Sequence, residues 1–155
     1  MTDAEADFVE AMGAFLGQLG LPRMAGRMFG YLLISDPPQQ TAGELADALH
    51  ASRGSISGTA RFLTQAGLVK RSTRRGDRRE YFEVPPGGIT ELLRSGARQY
   101  DAFAGLADRG IEALAGRPPE HRRRLEELRD VYSFFAREYP ALLERMERER
   151  KDAVT

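Results

Sequence analysis

Residues 41–84 read TAGELADALHASRGSISGTARFLTQAGLVKRSTRRGDRREYFEV. Thr41-Ala42-Gly43-Glu44 is a capping box. The Thr41 oxygen accepts the Glu44 amide while the Glu44 carboxylate reaches back to the Thr41 amide, so a helix opens here. Leu45, Ala46 and Leu49 supply its apolar side. His50-Ala51 is a short turn, and Ser52 caps a further helix that runs to about Ala66 and stops at Gly67. Two short helices joined by a tight turn form the helix–turn–helix pattern. After Gly67 the apolar period changes. Leu68–Thr73 and Glu80–Val84 read as strands flanking the turn Arg74-Arg75-Gly76-Asp77-Arg78-Arg79. This hairpin is a wing, and Pro85-Pro86-Gly87 closes it.

Working outward, Phe8, Met12, Phe15, Leu16 and Leu19 recur at helical spacing, which predicts an amphipathic helix over residues 3–20. Gly20 and Pro22 end it, Arg23–Ile34 reads as a mostly buried second helix, and Ser35-Asp36-Pro37-Pro38 is a break. Two long helices follow the wing. In the first, Leu93, Ala97, Tyr100, Phe103, Ala107, Ile111 and Leu114 share a face. In the second, Leu125, Leu128, Tyr132, Phe135, Tyr139, Leu142 and Met146 alternate at spacings of three and four, a heptad seam. Pro140 falls inside that seam and should kink or break the helix near Tyr139. The fold class is therefore mostly α with a small β-hairpin: a winged helix–turn–helix domain with a long-helix dimerisation platform. Residues 1–22 are expected to be an N-terminal dimerisation helix, 23–86 the DNA-binding domain and 87–155 a C-terminal helical dimerisation region. Phe8, Met12, Phe15 and the seven seam residues are the expected dimer contacts, because they form more apolar surface than a monomer leaves exposed.

Composition excludes several functions. The 155 residues contain no cysteine, which removes disulfides, thiolate metal sites and cysteine redox sensing. His50 and His121 sit in no ligand-spaced motif, so no metal is expected. No apolar run approaches a membrane span, and the acidic start Met1–Asp7 lacks the basic opening of a signal peptide. A cytoplasmic protein without membrane contact is expected. No nucleophile elbow, phosphate loop or dinucleotide fingerprint is present, so neither an enzyme nor a cofactor is expected.

The formal net charge is zero, but it is unevenly spread. Between Arg53 and Glu80 eight basic residues face two acids, net +6, which leaves 15 basic residues against 21 acids, net −6, elsewhere. A local basic surface on an acidic body is the footprint of a phosphate-binding face. Projecting the fourth helix puts Ile56, Thr59, Ala60 and Leu63 on one side and Gly54, Ser57, Gly58 and Arg61 on the other. Exposed helical glycines are costly, and close backbone approach to a partner is one reason to keep them. In a recognition helix that partner is the DNA major groove. Arg53 and Arg61 can read guanine or grip phosphate, and Ser52, Ser55 and Ser57 extend the same face. Thr41 can hold a phosphate at its helix N-terminus. In the wing, an arginine among Arg74, Arg75, Arg78 and Arg79 can enter the minor groove, where the potential is most negative. Asp77 reads as the orienter of Arg78 or Arg79 through a charge-assisted bond.

The stretches Gly26–Ile34, Glu44-Leu45-Ala46, Ser52–Ser57, Leu63…Gly67-Leu68-Val69 and Gly76–Phe82 carry a family likeness. In order and spacing, Arg23 to Pro85 resembles the MarR family of winged-helix regulators, and within it is most similar to the GbsR-like branch. The resemblance implies a homodimer with first and last helices interlocked, the fourth helix in the major groove and a wing arginine in the minor groove. It also implies a ligand pocket between the DNA-binding lobe and the dimer platform. The expected function is a dimeric, sequence-specific regulator of the repressor type that binds a pseudo-palindromic double-stranded operator. The alternative is a winged-helix module for DNA architecture or protein contact, without an effector. Tyr100, Phe103, Tyr132, Phe134, Phe135 and Tyr139 concentrate aromatic faces in the platform. These suit a small hydrophobic or aromatic effector, or a quaternary ammonium such as the choline and betaine linked to GbsR-like relatives; the plainer reading of the same rings is a dimer core.

Overall fold

The computed structural model describes residues 1–153. Val154 and Thr155, included in the expected C-terminal region, lie outside the described residues, as does the side chain of Ala97. Two compact units form, Met1–Ile89 and Thr90–Thr155.

The first unit opens with α1 (Asp3–Gln18), started by a capping box in which Thr2 accepts the Glu5 amide at 3.3 Å and donates its own amide to the Glu5 carboxylate at 2.6 Å. α2 (Arg23–Ile34) packs along it. The two backbones meet at glycine. A Cβ on Gly26 would lie 2.6 Å from the Met12 carbonyl oxygen, and one on Gly30 would lie 2.9 Å from Met12 Cβ. The single apolar stripe read in residues 3–20 divides into two faces. Val9 and Gly13 are buried toward α2 and Met12 is half-buried, while Phe8, Phe15 and Leu19 are exposed.

A two-residue strand β1 (Gln40–Thr41) leads into α3 (Ala42–Ala48), and α4 (Arg53–Gln65) follows across the turn. β2 (Lys70–Thr73) and β3 (Glu80–Glu83) form the wing, in antiparallel register from Lys70 opposite Glu83 to Thr73 opposite Glu80. β1 pairs with the other edge of β3, Gln40 opposite Phe82 and Thr41 opposite Tyr81, so the hairpin is the larger part of a three-stranded sheet in the order β1-β3-β2. Met28, Leu45, Leu49, Ile56 and Leu63 form the centre of one core together with Phe29, Leu32, Val69 and Phe82. Helix–turn–helix and wing thus share a single apolar anchor.

The second unit holds α5 (Gly88–Ala113, its first two residues lying in the first unit), a single 3-10 turn (Pro119–His121) and α6 (Arg123–Asp152). α6 does not break at Pro140 but runs through it for 30 residues. The proline forfeits only its own N–H bond, and the turns on either side keep the helix propagating. Part of the expected dimer seam faces α5 of the same chain. Tyr132 stacks on Phe103 with centroids 4.7 Å apart, Tyr139 meets Tyr100 edge-on at 5.3 Å, and Leu125 packs where Gly110 has no side chain. Phe103, Leu106, Val131, Phe134, Phe135 and Leu142 remain exposed, while Leu128 and Met146 are half-buried.

Candidate nucleic-acid interface

α4 begins where the Ser52 hydroxyl accepts the Ser55 amide at 3.1 Å. Ile56, Ala60 and Leu63 anchor it to α2 and α3 and are almost fully buried. On the other side Arg53, Gly54, Ser55, Ser57, Gly58 and Arg61 are all exposed. A Cβ on Gly58 would meet nothing within 4 Å, and one on Gly54 only the Ser52 hydroxyl at 4.0 Å. Among the described residues, then, no part of this chain packs closely against these two glycines, in contrast to Gly26 and Gly30. The bare strip they leave faces outward.

Between α4 and the sheet lies a cleft of about 500 Å³ bordered by Ser57, Arg61, Gln65, Arg71, Glu80 and Phe82. Arg71 pairs with Glu80 across the hairpin at 3.0 Å. Thr41 lies apart from the exposed set. It is buried, and both its amide and its hydroxyl donate to the Glu44 carboxylate, at 2.6 and 2.8 Å. The Thr41 hydroxyl, which the sequence reading offered to a phosphate, is thus bonded to Glu44 within the capping box. These bonds, the amide first, hold the Glu44 carboxyl below its ordinary pKa.

The wing tip is ordered around Asp77. Its Oδ1 accepts the Arg79 amide at 2.9 Å, its two oxygens accept Arg79 Nε at 3.1 and 3.0 Å, and Oδ2 also accepts Arg79 Nη2 at 2.8 Å. The Tyr81 hydroxyl donates to the same Oδ2 at 2.7 Å. These bonds, that of the Arg79 side chain foremost, hold the Asp77 carboxyl far below the usual carboxylate range. Of the two arginines that the sequence left open, the carboxylate holds Arg79. Arg75 and Arg78 are exposed and have no hydrogen bond or ion pair with any described residue. Arg74 lies over the Tyr81 ring, 4.1 Å from its centroid, and donates to the Gln39 side chain at 2.8 Å.

Tyr81 and Gln39 therefore help to hold the wing tip; the sequence reading placed Tyr81 in the second wing strand without giving it a role at the site, and passed over Gln39. Tyr81 had a usable signal, a tyrosine four residues from the turn acid at the base of a hairpin. Gln39 had none, since it comes from 35 residues away.

The MarR family model matches residues 19–80, and a second, described as MmpR5-like MarR family transcriptional regulator, matches residues 87–149. The HTH-type transcriptional regulator MmpR5 of Mycobacterium tuberculosis is 43% identical over 128 residues, which cover 83% of this chain and 78% of that one. The chain belongs to the MarR family. A crystal structure of a transcriptional regulator, 39% identical, matches with a TM-score of 0.85 over 94% of this chain and 99% of the other. As a MarR-family member the chain is a DNA-binding transcription regulator built on a winged helix–turn–helix. Among the described residues of this MarR protein, no helix is long and apolar enough to cross a membrane.

Proposed function

We propose that this regulator acts as a homodimeric repressor that places α4 in the major groove and Arg79 of the wing in the minor groove. The observation that carries this reading is the uncovered strip of Gly54, Ser57, Gly58 and Arg61, which no described residue fills. Glycine lets a helix backbone approach a partner surface, and the flanking Arg53, Ser55 and Arg61 supply donors suited to base edges and phosphates. Arg79 reaches DNA already oriented by Asp77, which lowers the cost of ordering it. Exposed apolar side chains support the dimer: Phe8 and Phe15 on α1, Val131 on α6. Two-fold symmetry then calls for a pseudo-palindromic operator, with half-sites about 10 bp apart, centre to centre.

The regulator has no catalytic role in this reading and works in the cytoplasm. An effector is part of the proposal. A cavity of about 610 Å³ on the second unit, bordered by Tyr100, Phe134, Phe135, Tyr139 and Leu142, has the size and the aromatic lining of a small-molecule site. Arg145 and Arg148 also border it, so a hydrophobic or aromatic compound, neutral or anionic, is the first class to titrate ahead of a quaternary ammonium.

Footprinting on an operator, followed by binding assays at several salt concentrations, tests the reading. Arg53→Ala or Arg61→Ala should weaken operator binding about 5- to 150-fold and relax sequence preference if the residue reads a base. If neither substitution changes binding, α4 is not in the groove.

A further inference from the structure

We infer that Arg27 is a positioning residue for the recognition helix, tying the helix–turn–helix turn to α1 through Glu10 and the Leu49 carbonyl. The inference rests on the reading that α4 enters the major groove, and extends it to a residue of α2 outside the exposed strip of α4. Arg27 lies on α2 with its side chain only 20% exposed. Its stem fills the notch left by Gly13, where a Cβ would sit 2.6 Å from Arg27 Cγ. Nε donates to Glu10 of α1 at 2.6 Å, and Nη2 donates to the Leu49 carbonyl at 3.1 Å.

The second bond falls at a decisive place. Leu49 is the C-cap of α3 and is fully buried. His50 follows with φ +48°, in the left-handed region that side chains other than glycine rarely adopt. The Ala51 amide closes back on Ala46 at 2.9 Å, and Ser52 then caps α4. Three residues therefore separate the Arg27 bond from the first residue of the recognition helix. The Leu49 carbonyl is one of the acceptors that a helix end leaves without an internal donor, and the negative end of the helix dipole favours a cation there. Among the described residues no other hydrogen bond joins α1 to α3 or its turn.

Glu10 completes the link. Burial pushes its carboxyl up, but hydrogen bonds from Arg23 and Arg27, with their charges, outweigh this and hold it below its ordinary value. The anion stays in place to aim the guanidinium. A planar fork serves the carboxylate and the carbonyl together; an ammonium is a point charge that can keep one of them.

The test uses the full chain with Arg27→Lys and Glu10→Gln. Affinities for operator and for a random duplex are measured at several salt concentrations, alongside Tm and the backbone amide NMR signals of His50, Ala51 and Ser52. Arg27→Lys should weaken operator binding roughly tenfold, leave random-duplex affinity and the salt slope unchanged, and move the His50 and Ala51 amides. Glu10→Gln should act in the same direction and add nothing to Arg27→Lys in the double variant. A salt slope lower by about 1 would make Arg27 a phosphate contact and overturn the inference. So would a lower Tm with operator affinity intact, which is a purely structural role. A parent chain that binds operator and random DNA alike overturns the groove reading instead. In that case unmoved His50 and Ala51 amides in Arg27→Lys would still overturn the role of Arg27.

Discussion

Gly58→Ala separates fold from function by sign. Gly58 lies in the interior of a 13-residue helix, is exposed, and has no atom within 4 Å of where a Cβ would stand. Alanine costs the folded chain no clash there, and it removes a helix-interior glycine penalty of about 1 kcal/mol. For a chain of this size that is a rise in Tm of roughly 2–4 °C. DNA binding should move the other way. If the strip beside Gly58 seats against base edges, an extra methyl overpacks that contact at a cost of about 1–3 kcal/mol, or about 5- to 150-fold in operator affinity. Gly54 is a weaker choice because it is the second residue of α4, where propensity counts less. Thermal unfolding by circular dichroism and fluorescence anisotropy on a labelled operator give the two numbers. A stabilised Gly58→Ala protein that binds operator as tightly as the parent would refute the argument, because the bare strip would then have no partner. A destabilised one would show that the open space is filled in the folded chain.

Two other outcomes follow from the geometry. Asp77→Ala should weaken operator binding by a factor of about 2–10, since Arg79 must then be ordered on the DNA. Charge alone demands the reverse, because an acid is removed beside phosphates. The same substitution should add little to Arg79→Ala, and tighter binding by Asp77→Ala at every salt concentration would end the orienting role. Gly26→Ala should destabilise the fold by about 1–3 kcal/mol in urea unfolding, because its Cβ would meet a backbone carbonyl at 2.6 Å rather than a movable side chain. An unchanged midpoint would mean that α1 moves freely over α2.

The local signals in the sequence were strong where chemistry at a single turn decides structure. Thr41 with Glu44, Ser52 and Gly67 marked the ends of α3 and α4, and the helical projection separated Ile56, Ala60 and Leu63 from the exposed strip. β1 was not legible: two residues carry no alternation, and Thr41 serves as strand and cap together. In α1 a wide apolar stripe reads the same whether it faces one neighbour or is divided between α2 and solvent. Pro140 shows the limit of a local rule, since one missing donor does not end a long helix. At the site, spacing identified Asp77 as an orienter but could not choose between Arg78 and Arg79, a choice made by the hairpin's backbone. Arg27 had no sequence signal at all, because its partners lie 17 and 22 residues away.

The glycine crossing of α1 and α2 has a mechanical consequence. Where Gly26 meets the backbone of Met12 and Gly13, there is no layer of long side chains between the two helices to shear or repack. α1 and the DNA-reading lobe therefore move as one solid piece. Whatever grips Phe8 and Phe15 on the outer surface of α1 holds a rigid handle, and a small tilt of that handle becomes a larger sweep at the far end of the lobe. In such an object accuracy of aim depends on the stiffness of the joint, and here that stiffness comes from the side chains that are missing.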